Sequence, residues 1–303
     1  MASQRPASLY IAIGLGVISF TFSPILVRWA SDAPGLSIAV WRTTFAVVLL
    51  APAAWWRIGP AVRAFSWRDT TLITAAGILL GVHFIAWIES LYHTTVASAS
   101  VLVTTSPIFL VVLGFLLLDE RLSWTTVGAI ATSVGGAILI GLGDAQGVGV
   151  GPNPLWGNSL ALAASLFASL YLLIGRVVRQ EVDWLAYVFP LYTVAALTTF
   201  GAAWWRGVPL WGYEAGFYGL CLLMAIGPKI LGHGSFNYAL HYLPAALVGM
   251  LALLEPVGSS ALAFLLFGEV PNGLAITGML VVLGAVAVVV WSERQQTSTA
   301  QDR

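Results

Sequence analysis

Long uninterrupted runs of apolar residues alternate with short polar connections along the whole chain. A helix that crosses a bilayer needs about 20 apolar residues, whereas a strand of a membrane barrel alternates apolar and polar positions over about 10 residues. The runs have the length of helices and show no period of two. They predict an all-α polytopic membrane protein with ten transmembrane helices, at 8–27, 36–56, 70–90, 95–117, 123–142, 155–176, 184–205, 214–238, 244–267 and 273–291.

Composition supports this class and excludes several others. Of the 303 residues, 59% are hydrophobic and 9% are charged, whereas a soluble domain carries roughly 25% charged residues. The net charge of zero argues against nucleic acid as a partner. A lone cysteine, Cys221, can form neither an intrachain disulfide nor a cysteine metal cluster. The expected partners are the lipid bilayer and a small-molecule substrate, and we expect neither a metal nor a cofactor.

Basic residues are distributed unevenly over the connections between the spans. If the N-terminus is cytoplasmic, nine arginines lie on the cytoplasmic side, and only Arg28 and Arg206 lie outside. Because positively charged loops are retained in the cytoplasm, both termini are predicted to be cytoplasmic. No transit peptide is evident, which indicates the plasma membrane, in a bacterium the inner membrane. The nine are Arg5, Arg57, Arg63, Arg68, Arg121, Arg176, Arg179, Arg294 and Arg303.

The two halves of the chain resemble each other. The segment Ala97–Pro107 matches Ala246–Pro256, and thirteen residues after each proline stands a glutamate, Glu120 or Glu269. We interpret both glutamates as structural, as partners for loop backbone amides. Since each half has five spans, the second half would enter from the opposite side of the membrane, and inverted repeats are typical of secondary transporters.

This repeat divides the chain into four parts. The first repeat covers 1–143, a connecting loop covers 144–154, the second repeat covers 155–291, and a disordered cytoplasmic tail covers 292–303. Two glycine patterns, Gly77-x-x-x-Gly81 and Gly212-x-x-x-Gly216, predict close packing of helices. Tryptophans at span ends, such as Trp55 and Trp204, predict aromatic anchoring at the membrane interfaces.

These motifs resemble the EamA-type transporters of the drug/metabolite transporter superfamily. The resemblance rests on Ala97–Pro107 with Asp119-Glu120-Arg121-Leu122-Ser123, and on Ala246–Pro256 with Gly268-Glu269-Val270. It implies two inverted five-helix repeats, alternating access, and export or exchange of a metabolite or drug. It also implies a central cavity lined mainly by the first four spans of each half, with the fifth and tenth spans at the periphery. Arg121 fits the Glu-Arg-Leu pattern of the family, and the second half, with Val270 at that place, departs from it.

Ionisable side chains inside spans are candidates for the site, because each costs at least about 2.5–3.5 kcal/mol on insertion scales. Lys229, His233 and Asn237 are spaced i, i+4, i+8 and lie near one face of one helix. Pro228 frees a backbone carbonyl beside them. One interpretation is a polar stripe that faces a transport cavity. The alternative is that Lys229 pairs with Glu255 and holds two helices together.

The other candidates also leave alternatives open. His83 lies four residues before Trp87 and matches His233 in the repeat, so the two histidines would face each other, either carrying a proton or packing through hydrogen bonds. Arg42 could bind a carboxylate or phosphate, or its side chain could reach the outer interface. Glu255 stands where the first repeat has Ser106. It could form an ion pair, bind a substrate amine or take up a proton.

The predicted substrate-binding residues are therefore Arg42, His83, Trp87, Lys229, His233 and Asn237, with Glu255 as a coupling or ion-pair residue. Two cationic groups favour a carboxylate-bearing solute such as an amino acid. A multidrug or lipophilic-cation exporter is the alternative. An intramembrane enzyme is less favoured, since Ser235 and His233 point to different helix faces and no metal-ligand set is complete. We expect no enzyme activity. We expect transport to be coupled to protons or to the exchange of substrates, and we expect a monomer or a weak homodimer.

Overall fold

The computed structural model describes residues 6–94, 96–144, 152–267, 270 and 272–301. These parts of the chain form helices joined by short connections and contain no strand. The helices are α1 (Ala7–Thr21), α2 (Ser23–Trp29), α3 (Gly35–Arg57), α4 (Gly59–Arg63), α5 (Trp67–His93), α6 (Val96–Val103), α7 (Ser106–Leu118), α8 (Trp124–Asp144), α9 (Pro154–Val178), α10 (Trp184–Trp205), α11 (Ala215–Met224), a π-helical segment (Ala225–His233), α12 (Gly234–Ala239), α13 (Ala245–Ala252), α14 (Leu254–Phe267) and α15 (Gly273–Gln301).

Eight helical segments of the described chain are long and apolar enough to cross a membrane. Two further helices, α8 and α15, contain the shorter apolar stretches Trp124–Ile140 and Gly273–Val289. The predicted class, an all-helical membrane protein, is confirmed. Large indole side chains at helix ends are exposed, as is typical of anchors at the membrane interfaces. They include Trp55, Trp56, Trp67, Trp124, Trp204 and Trp205.

Helix ends follow signals that are visible in the sequence. Ser66 begins α5 with a capping box, in which its hydroxyl accepts from the Asp69 amide at 3.1 Å and Asp69 Oδ2 accepts from the Ser66 amide at 3.0 Å. Asn153 caps α9 through its side-chain oxygen, directly before Pro154 at the first helical position. The Asn153 amide also donates to the carbonyl oxygen of His93 at 3.2 Å, so α9 begins beside the end of α5.

Prolines interrupt the helices at places that matter for the site. A proline lacks an amide hydrogen, and its ring collides with the carbonyl group four residues earlier. For Pro107 and Pro256 that carbonyl belongs to Val103 and Ala252, the last residues of α6 and α13. Pro24 similarly follows the break between α1 and α2. Around Pro228 the chain instead widens into the π-helical segment, a helix form frequent at functional sites.

The helices pack in a regular set of pairs. Helix α5 packs along α9, helix α8 packs along α15, and α10 contacts both α3 and α5. Helix α1 packs against the π-helical segment and α12. Gly77 and Gly81 allow the close approach of α10, because a Cβ at Gly77 would lie 2.6 Å from Val194 Cβ. The second glycine pattern was wrong, since Gly212 lies in a connection with φ of +90° before α11 begins.

Contacts between residues far apart in the chain join the connections between helices. The Ser8 hydroxyl lies 2.9 Å from the Tyr238 hydroxyl. The Ser37 hydroxyl donates to the carbonyl oxygen of Pro209 at 2.8 Å, and the Asn153 amide donates to the carbonyl oxygen of His93 at 3.2 Å. The ten-span topology and the cytoplasmic location of both termini remain predictions from the sequence.

Two predictions concern the C-terminal end of the chain and the loop between its two halves. Helix α15 continues to Gln301, so residues 292–301 are helical where the sequence predicted a disordered tail. The segment contains Glu293, Arg294 and Gln295, whose high helix propensity extends the preceding apolar helix. Residues 145–151 of the predicted connecting loop lie outside the described residues, as do Arg5, Glu269 and Arg303.

Candidate functional site

A cavity lies where the interrupted helices meet in the middle of the bundle. The volume of this cavity is about 70 Å³. Among the described residues, α8 and α15 contribute nothing to the lining, in line with the peripheral fifth and tenth spans that the resemblance implies. Helix α10, the seventh span, also contributes none, which departs from that expectation. The lining residues are Phe20, Ser23, Arg42, His83, Phe84, Trp87, Val103, Thr104, Ser106, Ala168, Tyr171, Leu172, His233, Phe236, Gly249, Ala252 and Glu255.

Arg42 is the cation of this cavity. The side chain extends from α3 and is only 1% exposed, so the alternative in which it reaches the outer interface was wrong. Its guanidinium carbon lies 4.5 Å from the ring centre of Phe84 and 5.8 Å from that of Trp87. Within the described chain, Arg42 Nε and Nη1 have no hydrogen-bond partner, and neither has the indole nitrogen of Trp87. Three donor nitrogens on two adjacent side chains therefore have no hydrogen-bond partner in the cavity wall.

The structure brings the two repeat-related histidines together. The ring centres of His83 and His233 lie 5.9 Å apart in an edge-on arrangement, and both residues line the cavity. His83 Nδ1 lies 2.9 Å from the carbonyl oxygen of Ala164, which can only accept, so this nitrogen donates and Nε2 remains for other partners. His233 Nδ1 shares a hydrogen bond of 2.8 Å with the Tyr171 hydroxyl. Each histidine is thus both hydrogen-bonded and part of the cavity wall.

Lys229 lies beside the cavity and does not line it. Its ammonium nitrogen is 4.1 Å from the ring centre of Phe84 and 4.0 Å from that of Tyr192, and it has no hydrogen-bond partner among the described residues. The Tyr192 hydroxyl donates to the Lys229 carbonyl oxygen at 2.8 Å, which attaches the π-helical segment to α10. Two aromatic rings, rather than a carboxylate, are the partners of this cation.

Glu255 is the acid of the cavity. It extends from α14 at the break before Pro256, is 8% exposed and belongs to the lining. Its Oε1 has no hydrogen-bond partner in the described parts of the chain. The alternative in which Glu255 pairs with Lys229 was wrong, because the Lys229 ammonium group lies against the rings of Phe84 and Tyr192. The cavity wall therefore contains Arg42 Nε and Nη1 and Glu255 Oε1 without hydrogen-bond partners among the described residues.

Asn237 does not reach the cavity, although the i, i+4, i+8 spacing predicted it there. The helix changes from π to α at Gly234, so the stripe does not continue beyond His233. The Asn237 side-chain amide donates to the His233 carbonyl oxygen at 2.8 Å, and the backbone carbonyl oxygen of Asn237 accepts from Arg179 Nε at 3.1 Å. Arg179 also donates to the carbonyl of Val182, and burial lowers the pKa of its guanidinium below the ordinary value. Asn237 thus has a structural role.

Apart from Trp87, sequence reasoning missed the aromatic residues of the site. Phe20 and Phe84 pack edge-on against His233, and Phe236 packs edge-on against Phe20. Phe84 also lies against the Arg42 guanidinium, and the Tyr171 hydroxyl bonds to His233. Aromatic residues in an apolar helix carry no charge signal. A weaker signal was present, since a buried tyrosine needs a partner for its hydroxyl. No group of three or more His, Cys, Asp or Glu side chains that could hold a metal ion occurs within the described ranges.

Comparison with known proteins agrees with this geometry. The sequence pattern of the EamA-like transporter family matches the chain twice, over residues 7–142 and over residues 155–291. The chain belongs to the EamA-like transporter family. The resemblance that its motifs predicted is confirmed, and so are a transport function rather than an enzymatic one and a multi-pass location in the plasma membrane.

Individual relatives span nearly the whole chain. A probable terminal-alkyne amino-acid exporter of Streptantibioticus cattleyicolor is 28% identical over 289 residues, which cover 87% of this chain and 90% of that protein. An uncharacterized transporter of Pseudomonas aeruginosa is 30% identical, over 88% of this chain and 87% of its own length. A solved crystal structure, 17% identical, has a TM-score of 0.79 over 96% of this chain and 99% of that chain, which shows a common fold.

Proposed function

We propose that this chain is a secondary-active transporter that exports or exchanges a small carboxylate-bearing metabolite through the central cavity. The observation that carries the proposal is the unpaired guanidinium of Arg42. A buried charge without a partner is costly, and inside a membrane such residues mark substrate pathways. A guanidinium suits a carboxylate bidentately, and the neighbouring Trp87 indole nitrogen can only donate. An anion bound at Arg42 and Trp87 would satisfy both residues.

The architecture that we propose is two inverted repeats of five spans with cytoplasmic termini. Two observations support it: the family pattern matches each half separately, and the breaks before Pro107 and Pro256 occur at equivalent places. Discontinuous helices that meet at a central site are typical of transporters with inverted repeats. The breaks would act as the bending points of alternating access.

Export is favoured by a relative, and the energy source has two candidates. The Streptantibioticus cattleyicolor protein is named an amino-acid exporter and covers most of this chain. With no nucleotide-binding motif in the sequence, transport would be driven by a proton gradient or by exchange of substrates. His83, through its free Nε2, and Glu255, through its unpaired oxygen, are the groups that would carry a proton.

A thermal-shift assay tests the proposed substrate class. Purified protein would be melted with amino acids, organic acids, phosphorylated metabolites and lipophilic cations, in the wild type, in Arg42→Gln and in the control Arg121→Gln. Arg121 pairs with Asp119 at the exposed surface and is remote from the lining. We expect carboxylates to raise the melting temperature of the wild type and of Arg121→Gln, and to have no effect on Arg42→Gln. Flux of the best ligand in proteoliposomes then measures transport itself.

One observation favours a second candidate, an exporter of lipophilic cations. Glu255 is an unpaired carboxylate in a wall that contains Phe20, Phe84 and Phe236. Such a wall binds organic cations through charge and aromatic contact. If only lipophilic cations stabilise the protein, and Glu255→Gln rather than Arg42→Gln removes the stabilisation, this second function replaces the first.

A further inference from the structure

We propose that Phe84 determines the charge selectivity of the site, because its ring separates Lys229 from the cavity and leaves Arg42 as the cation that meets the substrate. This proposal rests on the proposed function and makes its substrate class narrower, to solutes with a single carboxylate. Phe84 lies on α5, is 1% exposed and forms part of the cavity wall. Its ring carries neither a charge nor a hydrogen-bonding atom, so its role follows from the groups that lie against it.

Aromatic rings and cations alternate across the middle of the bundle. The guanidinium carbon of Arg42 lies 5.8 Å from the ring centre of Trp87 and 4.5 Å from that of Phe84. The ammonium nitrogen of Lys229 lies 4.1 Å from the ring centre of Phe84 and 4.0 Å from that of Tyr192. Each cation thus lies over two rings, and Phe84 is the ring that the two cations share. We call these five side chains the cation–aromatic ladder.

One end of the cation–aromatic ladder faces the cavity and the other end does not. Trp87, Arg42 and Phe84 line the cavity, whereas Lys229 and Tyr192 lie outside the lining. The Lys229 side chain is fully buried, and its ammonium nitrogen has no hydrogen-bond partner among the described residues. The ring of Phe84 therefore lies between the ammonium group of Lys229 and the space that a ligand would occupy.

This arrangement limits the number of negative charges that a ligand can bring into the site. A cation that lies against the negative faces of two rings is stabilised without a counter-ion, and the attraction is larger where water is excluded. With Phe84 in place, the rings stabilise Lys229, and Arg42 is free to pair with one carboxylate. A second carboxylate would be buried without a cation as its partner, which is strongly unfavourable.

Lys229 is the one lysine of the 303-residue chain, so its accessibility from the cavity can be measured directly. The purified full-length protein would be methylated with formaldehyde and cyanoborohydride, and the modification of Lys229 would be quantified by mass spectrometry. Methylation of the N-terminal amino group measures the activity of the reagent. We expect Lys229 to react at least about tenfold faster in Phe84→Leu than in the wild type, in which it is reached only when the structure opens locally.

Phe236→Leu is the matched control for Phe84→Leu. Phe236 also lines the cavity, and its ring packs edge-on against Phe20, with the ring centres 4.8 Å apart. The cations of the cation–aromatic ladder lie over other rings. The control therefore removes a ring of the same size from the same wall and should leave Lys229 as slow to react as in the wild type. Equal methylation of Lys229 in Phe84→Leu and in Phe236→Leu would overturn the proposal.

Hexanoate and hexanedioate test the charge selectivity itself, because they have the same chain length and differ by one carboxylate. Their dissociation constants would be measured by calorimetry on the full-length protein at neutral pH. We expect the wild type to prefer hexanoate, and Phe84→Leu to shift the ratio of the two constants towards hexanedioate by at least about tenfold, because Lys229 can then pair with the second carboxylate. The double variant Phe84→Leu/Lys229→Met should return to the preference of the wild type. An unchanged ratio in Phe84→Leu contradicts the proposal.

The outcomes separate this proposal from the proposed function. If hexanoate binds to the wild type and Arg42→Gln removes the binding, the proposed function stands, and the ratio in Phe84→Leu decides the proposal. If no carboxylate binds to the wild type, both fail. Should Phe84→Leu not fold, 3,4,5-trifluorophenylalanine at position 84 keeps the shape of the ring and weakens its negative face. The melting temperature should then fall below that of the same replacement at position 236, and equal values would overturn the proposal.

Discussion

Arg176 Nε donates a hydrogen bond to Glu120 Oε1 over 3.0 Å, and Arg176 Nη1 donates to the carbonyl oxygen of Leu240 over 2.8 Å. One guanidinium on α9 thereby joins the connection after α7 and the connection after α12. The sequence predicted Glu120 as a partner of backbone amides. Its partner is a side chain from the other half of the chain, so the interaction holds both halves together at the end that we predict to be cytoplasmic.

Replacement of Arg176 should destabilise the protein. Arg176→Gln removes the bonds to Glu120 and Leu240, and hydrogen bonds to charged groups contribute about 1.5–3 kcal/mol each, less where water screens them. We expect a loss of roughly 1–3 kcal/mol in the free energy of unfolding. Arg121→Gln is the matched control, because the Arg121–Asp119 pair is about three-quarters exposed. Thermal unfolding in detergent would show whether the two variants differ. An equal effect would mean that the Arg176–Glu120 pair does not stabilise this end.

Three buried tyrosines offer a second comparison. The Tyr171 hydroxyl bonds to His233, the Tyr192 hydroxyl donates to the Lys229 carbonyl, and the Tyr187 hydroxyl has no partner in the described structure. Tyr171→Phe and Tyr192→Phe should each lower the free energy of unfolding by about 1 kcal/mol, because each loses a hydrogen bond. Tyr187→Phe should leave the free energy of unfolding unchanged or raise it. Melting temperatures of the three variants measure this order. A Tyr187→Phe variant that melts as low as Tyr171→Phe would contradict the assignment of partners.

Neighbouring glycines on α8 test the contact with α15. A Cβ on Gly136 would lie 2.8 Å from the carbonyl oxygen of Gly278 and 2.9 Å from a methyl carbon of Val282, whereas nothing lies within 4 Å of a Cβ on Gly135. Gly136→Ala should push α8 away from α15 and lower the free energy of unfolding by roughly 1–3 kcal/mol. Gly135→Ala should leave the free energy of unfolding unchanged or raise it by up to about 1 kcal/mol, because alanine has a higher helix propensity than glycine. Both would be measured by thermal unfolding, and equal melting temperatures would mean that α15 does not pack here as described.

Replacement of Lys229 tests whether this buried lysine takes part in ligand binding. Lys229→Met removes a buried ammonium group that has no hydrogen-bond partner among the described residues, so we expect a melting temperature equal to or above that of the wild type. Because Lys229 does not line the cavity, ligand affinity in this conformation should change by less than about threefold, a small free energy. Arg42→Met, in contrast, should lose carboxylate binding. Calorimetry on both variants checks this. If Lys229→Met and Arg42→Met lose carboxylate affinity equally, Lys229 contacts the ligand.

Several features of the fold could be predicted from the sequence. The span predicted at 184–205 coincides with α10, and Pro107 and Pro256 mark helix breaks as a lost amide hydrogen requires. Arg42 and His83 were found because polar groups inside apolar runs are conspicuous. Asn237 was misplaced because its position was extrapolated along a regular α-helix, and the π-helical segment around Pro228 ends before it.

The sequence by itself determined the membrane class, the family and the pool of buried ionisable groups, because apolar length and charge are local properties of the chain. Only the tertiary structure decided which groups face one another. Lys229 lies against Phe84 and Tyr192, Tyr171 holds His233, and Glu255 remains unpaired, since each contact joins helices that are far apart in the chain. Packing and the local change in helix type set those directions, and neither is encoded in the spacing along a single helix.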